Sequence, residues 1–464
     1  HDTSGQSNIM YQDIFTADWF SMGFGSYGRI GVNWAGEIGN TQGRRLNLNN
    51  MGSIGGRLEE QDYLELGMAF HMRPVTTRHD SLEINVQFRT SVFSRSAANF
   101  GNSNTESLGG LTIALPEMYV EARNLFDLPL NVWVGSRLYR GPDVHTADYF
   151  YFNDHSGQGF GVEYNRSRFS VNFVASTDTT STVPPYFYLN IKSGTSSLEI
   201  RERVVYTFEH DFHMSGDILL SGLLEYHSMT NPSSDQVDTT NLLLSFPSDF
   251  GWVVGARIQW NKIGNLRPGS FNQLGVRYGS RIANGGDGGS TRTWETFGAV
   301  DTTTFKFTDA YSWHIVDHFL LNISPKFSLN GYVIYNKSRG AAETKGLSES
   351  YLGREVFNSK EDLSIGGMGM IYLTDIFHLR PELHYSQRRD GDQDWYNMIK
   401  FSLAPTLAVR GERSVWSRPH IRLIYSVARY NDFARDNVYS SYLQIAGPKS
   451  WGHFFGVRAE WWTW

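Results

Sequence analysis

The sequence predicts an all-β chain, a transmembrane antiparallel β-barrel, on three observations. Strand-length segments alternate apolar and polar residues along nearly the whole chain, aromatic residues are abundant, and no apolar stretch is long enough for a membrane helix. The 464 residues include 30 Phe, 24 Tyr and 13 Trp, with 46 Gly against 14 Pro, and the mean hydropathy is -0.37. A membrane protein this polar cannot be a helix bundle. No charged-then-apolar leader precedes His1, so the numbering is expected to start at the mature chain. With no cysteine, the fold must rest on its own hydrogen-bonded sheet. The 41 basic and 47 acidic residues are dispersed at a net charge of -6, which excludes a nucleic-acid-binding stripe.

The first clear strand runs from Phe24 to Trp34, with Phe24, Ile30, Val32 and Trp34 on one face and Tyr27, Arg29 and Asn33 on the other. Next, Leu64, Leu66, Met68 and Phe70 alternate with Tyr63, Glu65 and Gly67. Leu82, Ile84, Val86 and Phe88 oppose Glu83, Asn85, Gln87 and Arg89, so one face suits lipid and the other water. Met118, Val120 and Ala122 oppose Tyr119, Glu121 and Arg123, and from Val132 to Tyr139 the polar-side set is Trp133, Arg137 and Tyr139. In the last strand Phe455, Val457, Ala459 and Trp461 oppose Arg458, Glu460 and Trp462. A soluble β-sandwich also alternates, but its polar face seldom carries large aromatics beside Arg and Glu in strand after strand. The mixed face therefore reads as enclosed.

Lipid offers no hydrogen-bond partners, so a spanning sheet must close on itself, with short turns at one rim and longer loops at the other. Thr177 to Pro185, Asn231 to Thr240, Ala283 to Arg292 and Asn99 to Gly110 read as loops from their Gly, Ser, Thr, Asn and Asp content. Residues 1–20 read as a short N-terminal segment, periplasmic or plug-like, and residues 21–464 as a single barrel domain with an inward-folded loop. No Ser, His and Asn or Asp set shares a face near a strand end, so an enzyme is not expected.

Several stretches resemble the maltoporins and the related sucrose and aryl-glucoside porins. The most specific runs from Trp133 through Arg137, Tyr139, Asp143, Val144 and His145 to Asp148 and Phe152, fitting the pattern W-x-G-x-R-x-Y followed by D-V-H-x-x-D. Phe24 to Gly31, Val415 to Arg422 and Gly456 to Trp462 support it, so the resemblance spans residues 24–464. It implies a barrel of about 18 strands, a homotrimer in the outer membrane of a Gram-negative bacterium, and passive diffusion of oligosaccharides or glycosides along an aromatic path flanked by ionic residues. It implies no cofactor, and surface loops leave room for bound calcium. Carried over residue by residue, Tyr27, Tyr63 and Trp462 match path aromatics, with Trp252 and Phe100 as further path candidates. Arg29, Arg57, Glu65, Asp143 and Asp148 match the ionic track. Parity alone sets Tyr27, Arg29, Tyr63, Glu65 and Trp462 on the mixed face.

The chain also departs from the pattern. A track arginine is replaced by Gly141 with Arg140 beside it, a tyrosine by Phe150, another arginine by Pro116 and a path tryptophan by Leu373, and no disulfide can close the first loop. A pyranose presents apolar C–H faces and a rim of hydroxyls, which suits a flat aromatic on one side and charged hydrogen-bonding groups on the other. Each residue has a plainer reading as well. Tyr27 and Tyr63 also read as wall packing or girdle, Arg29 and Glu65 as rungs of a structural ion-pair ladder, and Trp461 and Trp464 as girdle or assembly-signal aromatics. His145 beside Asp143 and Asp148 reads as a loop hydrogen-bond cluster rather than a metal site. Two other functions stay open: a general diffusion porin without sugar specificity, and a soluble β-rich carbohydrate-binding protein or glycoside hydrolase.

Overall fold

In the computed structural model the alternating segments become a closed wall. The structure describes residues 11–462 apart from 36–38, 41–44, 75–80, 95–99, 101–110, 175–186, 193–194, 201–202, 230–246, 286–294 and 350–354. A short strand β1 (Gln12–Ala17) precedes eighteen that form the barrel. The first nine of these are β2 (Phe20–Ala35), β3 (Tyr63–Met72), β4 (Glu83–Ser94), β5 (Leu111–Arg123), β6 (Leu130–Arg137), β7 (Gly157–Tyr164), β8 (Ser167–Val174), β9 (Arg203–Ser215) and β10 (Ile218–Met229). The second nine are β11 (Asp249–Trp260), β12 (Phe271–Arg281), β13 (Tyr311–Ser324), β14 (Phe327–Arg339), β15 (Ser359–Tyr372), β16 (Phe377–Asp390), β17 (Tyr396–Ala408), β18 (His420–Tyr430) and β19 (Trp451–Trp462). Each pairs antiparallel with the next, and β19 returns to β2 with Trp462 opposite Tyr27 and Phe455 opposite Trp34. Closure leaves the barrel no bare edge, the condition that lipid imposes.

Residues 12–17, read from sequence as part of a short periplasmic or plug-like N-terminal segment, pair with Phe20–Phe24 of β2. The reason is geometric. One edge of β2 is taken by β3, and β19 covers the other edge only from Tyr27 onward, so β1 satisfies the backbone groups left over.

The parity reading translates directly into inside and outside. Ile30, Val32, Trp34, Met118, Val120 and Val134 are exposed on the outer surface, whereas Asn85, Gln87, Arg89, Glu117 and Glu121 are buried in the interior. Trp252 is a correction. It stands on the outer face of β11, 38% exposed, with its ring 5.4 Å from Tyr278, which is 4.8 Å from Trp313. The alternation that turns Arg257 inward necessarily turns Trp252 outward, so it belongs to an aromatic girdle at the long-loop rim and not to a lumenal path. Trp461 is also external, donating from its indole nitrogen to Ser26 Oγ at 3.2 Å.

Among the described residues of the first half of the chain, two loops contribute to the main buried core inside the barrel. Residues 45–62, between β2 and β3, contribute Leu46, Leu48, Met51, Ile54 and Leu58 to a buried core. Residues 138–156, between β6 and β7, add Val144, Ala147, Tyr149, Tyr151 and Phe152 to the same core. Both pack on inward side chains of the far wall, including Tyr332, Ile334, Met398 and Ile424. Of the loops read from sequence, Thr177 to Pro185, Asn231 to Thr240, Ala283 to Arg292 beyond residue 285, and Asn99 to Gly110 except Phe100 lie outside the described residues. The short-turn end is narrowed as well: the turn 409–419 sends Val415 and Trp416 inward against Leu320, Met368, Met370, Tyr372 and Phe271.

The tip of the first loop depends on glycine. Gly56 has φ +107°, and a Cβ there would meet the His384 ring at 2.9 Å. Gly56→Ala is therefore expected to destabilise the protein by about 1–3 kcal/mol, from backbone strain and the clash together. Urea unfolding of wild type and variant checks it, and unchanged midpoints would mean the tip is not pressed on that wall.

Candidate functional site

Partly exposed interior side chains on β2, β3 and β4 and on the loop 138–156 that faces them include several of the sequence candidates. Tyr27 on β2 and Tyr63 on β3 lie with ring centroids 5.9 Å apart, and Tyr63 is 6.4 Å from Phe93 on β4 in stacked orientation. All three rings are half-buried. On β19, directly opposite Tyr27, Trp462 packs edge-on to His145 at 5.9 Å, and Trp416 approaches the same imidazole at 5.5 Å. The result is a discontinuous line of aromatic surface along the inner wall.

Exposure separates these rings from others of the same parity. Tyr119, Trp133 and Tyr139 also face inward, but they are sealed around Arg137, whose guanidinium lies 4.9, 5.3 and 4.7 Å from the three ring centres. That trio is wall packing with cation–π character.

The ionic residues flank the rings. The Arg29 guanidinium lies 5.1 Å from the centre of the Tyr63 ring, pairs with Glu60 at 2.9 Å and donates to the Tyr27 hydroxyl at 3.1 Å. Arg57, from the inward loop, donates to the same hydroxyl at 2.8 Å and pairs with Glu60 at 3.1 Å. Although burial raises it, the charges of Arg29, Arg57 and Arg45 hold the Glu60 carboxyl far below the usual carboxylate range. Glu65 accepts from the Tyr63 hydroxyl and pairs with Arg89 at 3.1 Å, and Arg89 continues to Glu117 at 3.2 Å. Glu65 thus forms a rung of a wall ladder, buried at 7% exposure.

On the second loop, Asp143 is half-buried, Asp148 is exposed, and Arg140 lies 4.2 Å above the Phe150 ring. The two ring nitrogens of His145 lie 3.2 Å from Arg57 and 3.1 Å from Arg418, so arginines engage both of them. Burial, joined by the charge of Arg57, lowers the His145 pKa and keeps the ring neutral. Among the described residues no group of three His, Cys, Asp or Glu could hold a metal.

Of the sequence candidates, the structure brings together Tyr27, Arg29, Arg57, Tyr63, Glu65, Asp143, Asp148, Arg140 and Trp462. Phe100 approaches through its backbone, its amide 3.4 Å from Asp62, and Trp252 is on the outside. Sequence reasoning missed Glu60, Trp416, Arg418 and Glu460 as lining or bracing groups. Trp416 and Arg418 sit in the Val415 to Arg422 segment, where an exposed-aromatic-plus-arginine pattern was readable. Glu60 sits in a loop, where period-two alternation is silent.

The sequence pattern of the LamB porins is matched over residues 22–462. The chain belongs to the LamB porins. This LamB porin is accordingly an outer-membrane channel whose strands cross the membrane many times. Among solved structures it is similar to OmpT, an outer membrane protein of Vibrio cholerae folded in vitro, at 11% identity, covering 97% of this chain and 100% of that one with a TM-score of 0.41. It is also similar to OmpF of Salmonella typhi in complex with daunomycin, at 10% identity, 98% and 100% coverage and a TM-score of 0.42.

Proposed function

We propose that this LamB porin is a homotrimeric channel for passive, selective diffusion of sugars through the outer membrane. The observation that carries the reading is the line of half-exposed rings, Phe93, Tyr63, Tyr27, Trp462 and Trp416, flanked by Arg29, Arg140, Asp143 and Asp148. Rings offer a platform to the C–H face of a pyranose, and the charged groups replace the water its hydroxyls give up. Conduction needs binding that is repeated and weak, so that each step can be left as easily as entered. The charged side chains hold fixed positions through partners such as Glu60 and Glu460, so they meet a sugar without first being ordered. No bond is made or broken. A lumen crossed by two packed loops favours this reading over a general diffusion pore.

The test is single-channel current in a planar bilayer titrated with glucose, sucrose, maltose, maltotriose and an aryl glucoside. Saturable block is expected, and conductance indifferent to every sugar would leave a general porin. Tyr63→Ala and Trp462→Ala are expected to weaken block by roughly two- to twelvefold each, the scale of one aromatic contact, with the channel still open. Wild-type block in both would remove them from the path.

A further inference from the structure

Near the short-turn end, β18 and β19 place two arginines directly opposite one another, Arg422 and Arg458. Like charges in cross-strand register are destabilising unless something outside the pair answers them. Arg380 on β16 reaches the same region across the small Ala404, and Arg418 enters from the turn 409–419. All four guanidiniums belong to residues no more than 5% exposed.

Three carboxylates face these four cations. Glu382 holds Arg380 at 2.6 Å, Asp62 holds Arg458 at 3.0 Å, and Glu460 is shared between Arg418 at 3.0 Å and Arg422 at 3.4 Å. Glu460 is divided further, with Arg57 at 3.6 Å and His420 at 3.2 Å. Three donors, Arg380 Nη2, Arg422 Nε and Arg458 Nη1, are buried and find no acceptor among the described residues. Burial and the charges of Arg422, Arg380 and Arg57 disfavour the charged form of Arg418, with Glu460 opposing. A guanidinium does not give up its proton in a protein, so this excess is relieved by an acceptor and not by titration.

We propose that this cluster is a subsite for the anionic group of an acidic sugar, a carboxylate, sulfate or phosphate carried on a pyranose. The inference rests on the sugar-channel reading and names its substrate class. One contact joins the cluster to the passage. The Arg418 guanidinium lies 4.4 Å above the Trp462 ring, so the cluster abuts the aromatic line at that tryptophan. An oxyanion also matches guanidinium geometry in a way that a neutral hydroxyl does not.

The experiment compares block of single-channel current by three probes: maltotriose, a neutral sugar; trigalacturonate, an acidic one; and citrate, which carries three carboxylates without a pyranose. Trigalacturonate is expected to block wild type at roughly tenfold lower concentration than maltotriose, the scale of one charge-assisted hydrogen bond. Citrate is expected to block weakly. In Arg422→Gln the ratio of the two sugars should fall severalfold, and in wild type it should fall as salt is raised from about 0.1 to 1 M, because screening weakens the anion's attraction. The salt series needs no variant, so a misfolded Arg422→Gln leaves the test intact. Equal block by both sugars in wild type overturns the inference while the sugar channel stands. Citrate acting as well as trigalacturonate overturns the acidic-sugar assignment. No block by either sugar overturns the channel reading itself.

Discussion

Glu460→Gln is expected to lower the stability of the barrel by about 3–5 kcal/mol, the cost of removing one partner from a buried charge network. The carboxylate of Glu460 is the meeting point of Arg418 at 3.0 Å, His420 at 3.2 Å, Arg422 at 3.4 Å and Arg57 at 3.6 Å, and it accepts from the Tyr27 hydroxyl at 3.1 Å. Glutamine keeps the shape and one acceptor but removes the charge, leaving three buried guanidiniums to repel one another. The effect also reaches beyond one strand, because Arg57 belongs to the first inward loop and Arg418 to the turn 409–419. The measurement is the urea midpoint of folded barrel, read by the heat-dependent shift in gel mobility that distinguishes closed from unfolded barrels. A midpoint within error of wild type would show that the arginines find their counter-charges elsewhere.

The second large effect concerns conductance. Replacing Tyr149, Tyr151 and Phe152 together by alanine is expected to raise single-channel conductance severalfold and to abolish sugar block. These three anchor the loop 138–156 to the far wall: Tyr149 donates to Asn336 at 2.9 Å, Tyr151 donates to Gln273, and Phe152 lies 5.4 Å beneath the Arg257 guanidinium. Each truncation removes a fully buried ring, a loss of about 3–5 kcal/mol of packing in a core. The backbone ladders of the barrel run strand to strand without the loop, so the loop should detach while the wall persists. Detachment would withdraw Asp143, His145 and Asp148 from the passage. Conductance equal to wild type would mean that His155, held between Glu225 at 3.1 Å and Glu209 at 3.4 Å, suffices to keep the loop in place.

The wall was legible in the sequence because its physics is local. A period of two assigns every residue to lipid or lumen, and Leu82 to Arg89 or Phe455 to Trp462 read correctly from that rule alone. The same rule, applied to Trp252, would have turned it outward, since Arg257 five positions on is inward. What remained hidden is non-local. Nothing in the run Leu46 to Leu58 announces that it packs against Tyr332 and Met398 on the opposite wall. Inward parity also does not separate a ring that meets the passage, such as Tyr63, from one closed over an arginine, such as Trp133. That difference lies in what stands in front of each ring, and the occupants come from distant segments.

The seam of the barrel bears on how the protein is made. Tyr27 and Glu460, joined by a hydrogen bond, are 433 positions apart. Until β19 arrives, every preceding strand belongs to an open ribbon with a bare first edge and a bare growing edge, both prone to pair with the wrong chain. Contacts this far apart in sequence form last and slowly. By lying along Phe20–Phe24, β1 shortens the bare first edge to Tyr27–Trp34, so the closing event has only that stretch to zip. A chain lacking residues 12–17 would reach the membrane with the same strands and a wider gap to close, and would spend longer in the hands of whatever escorts it.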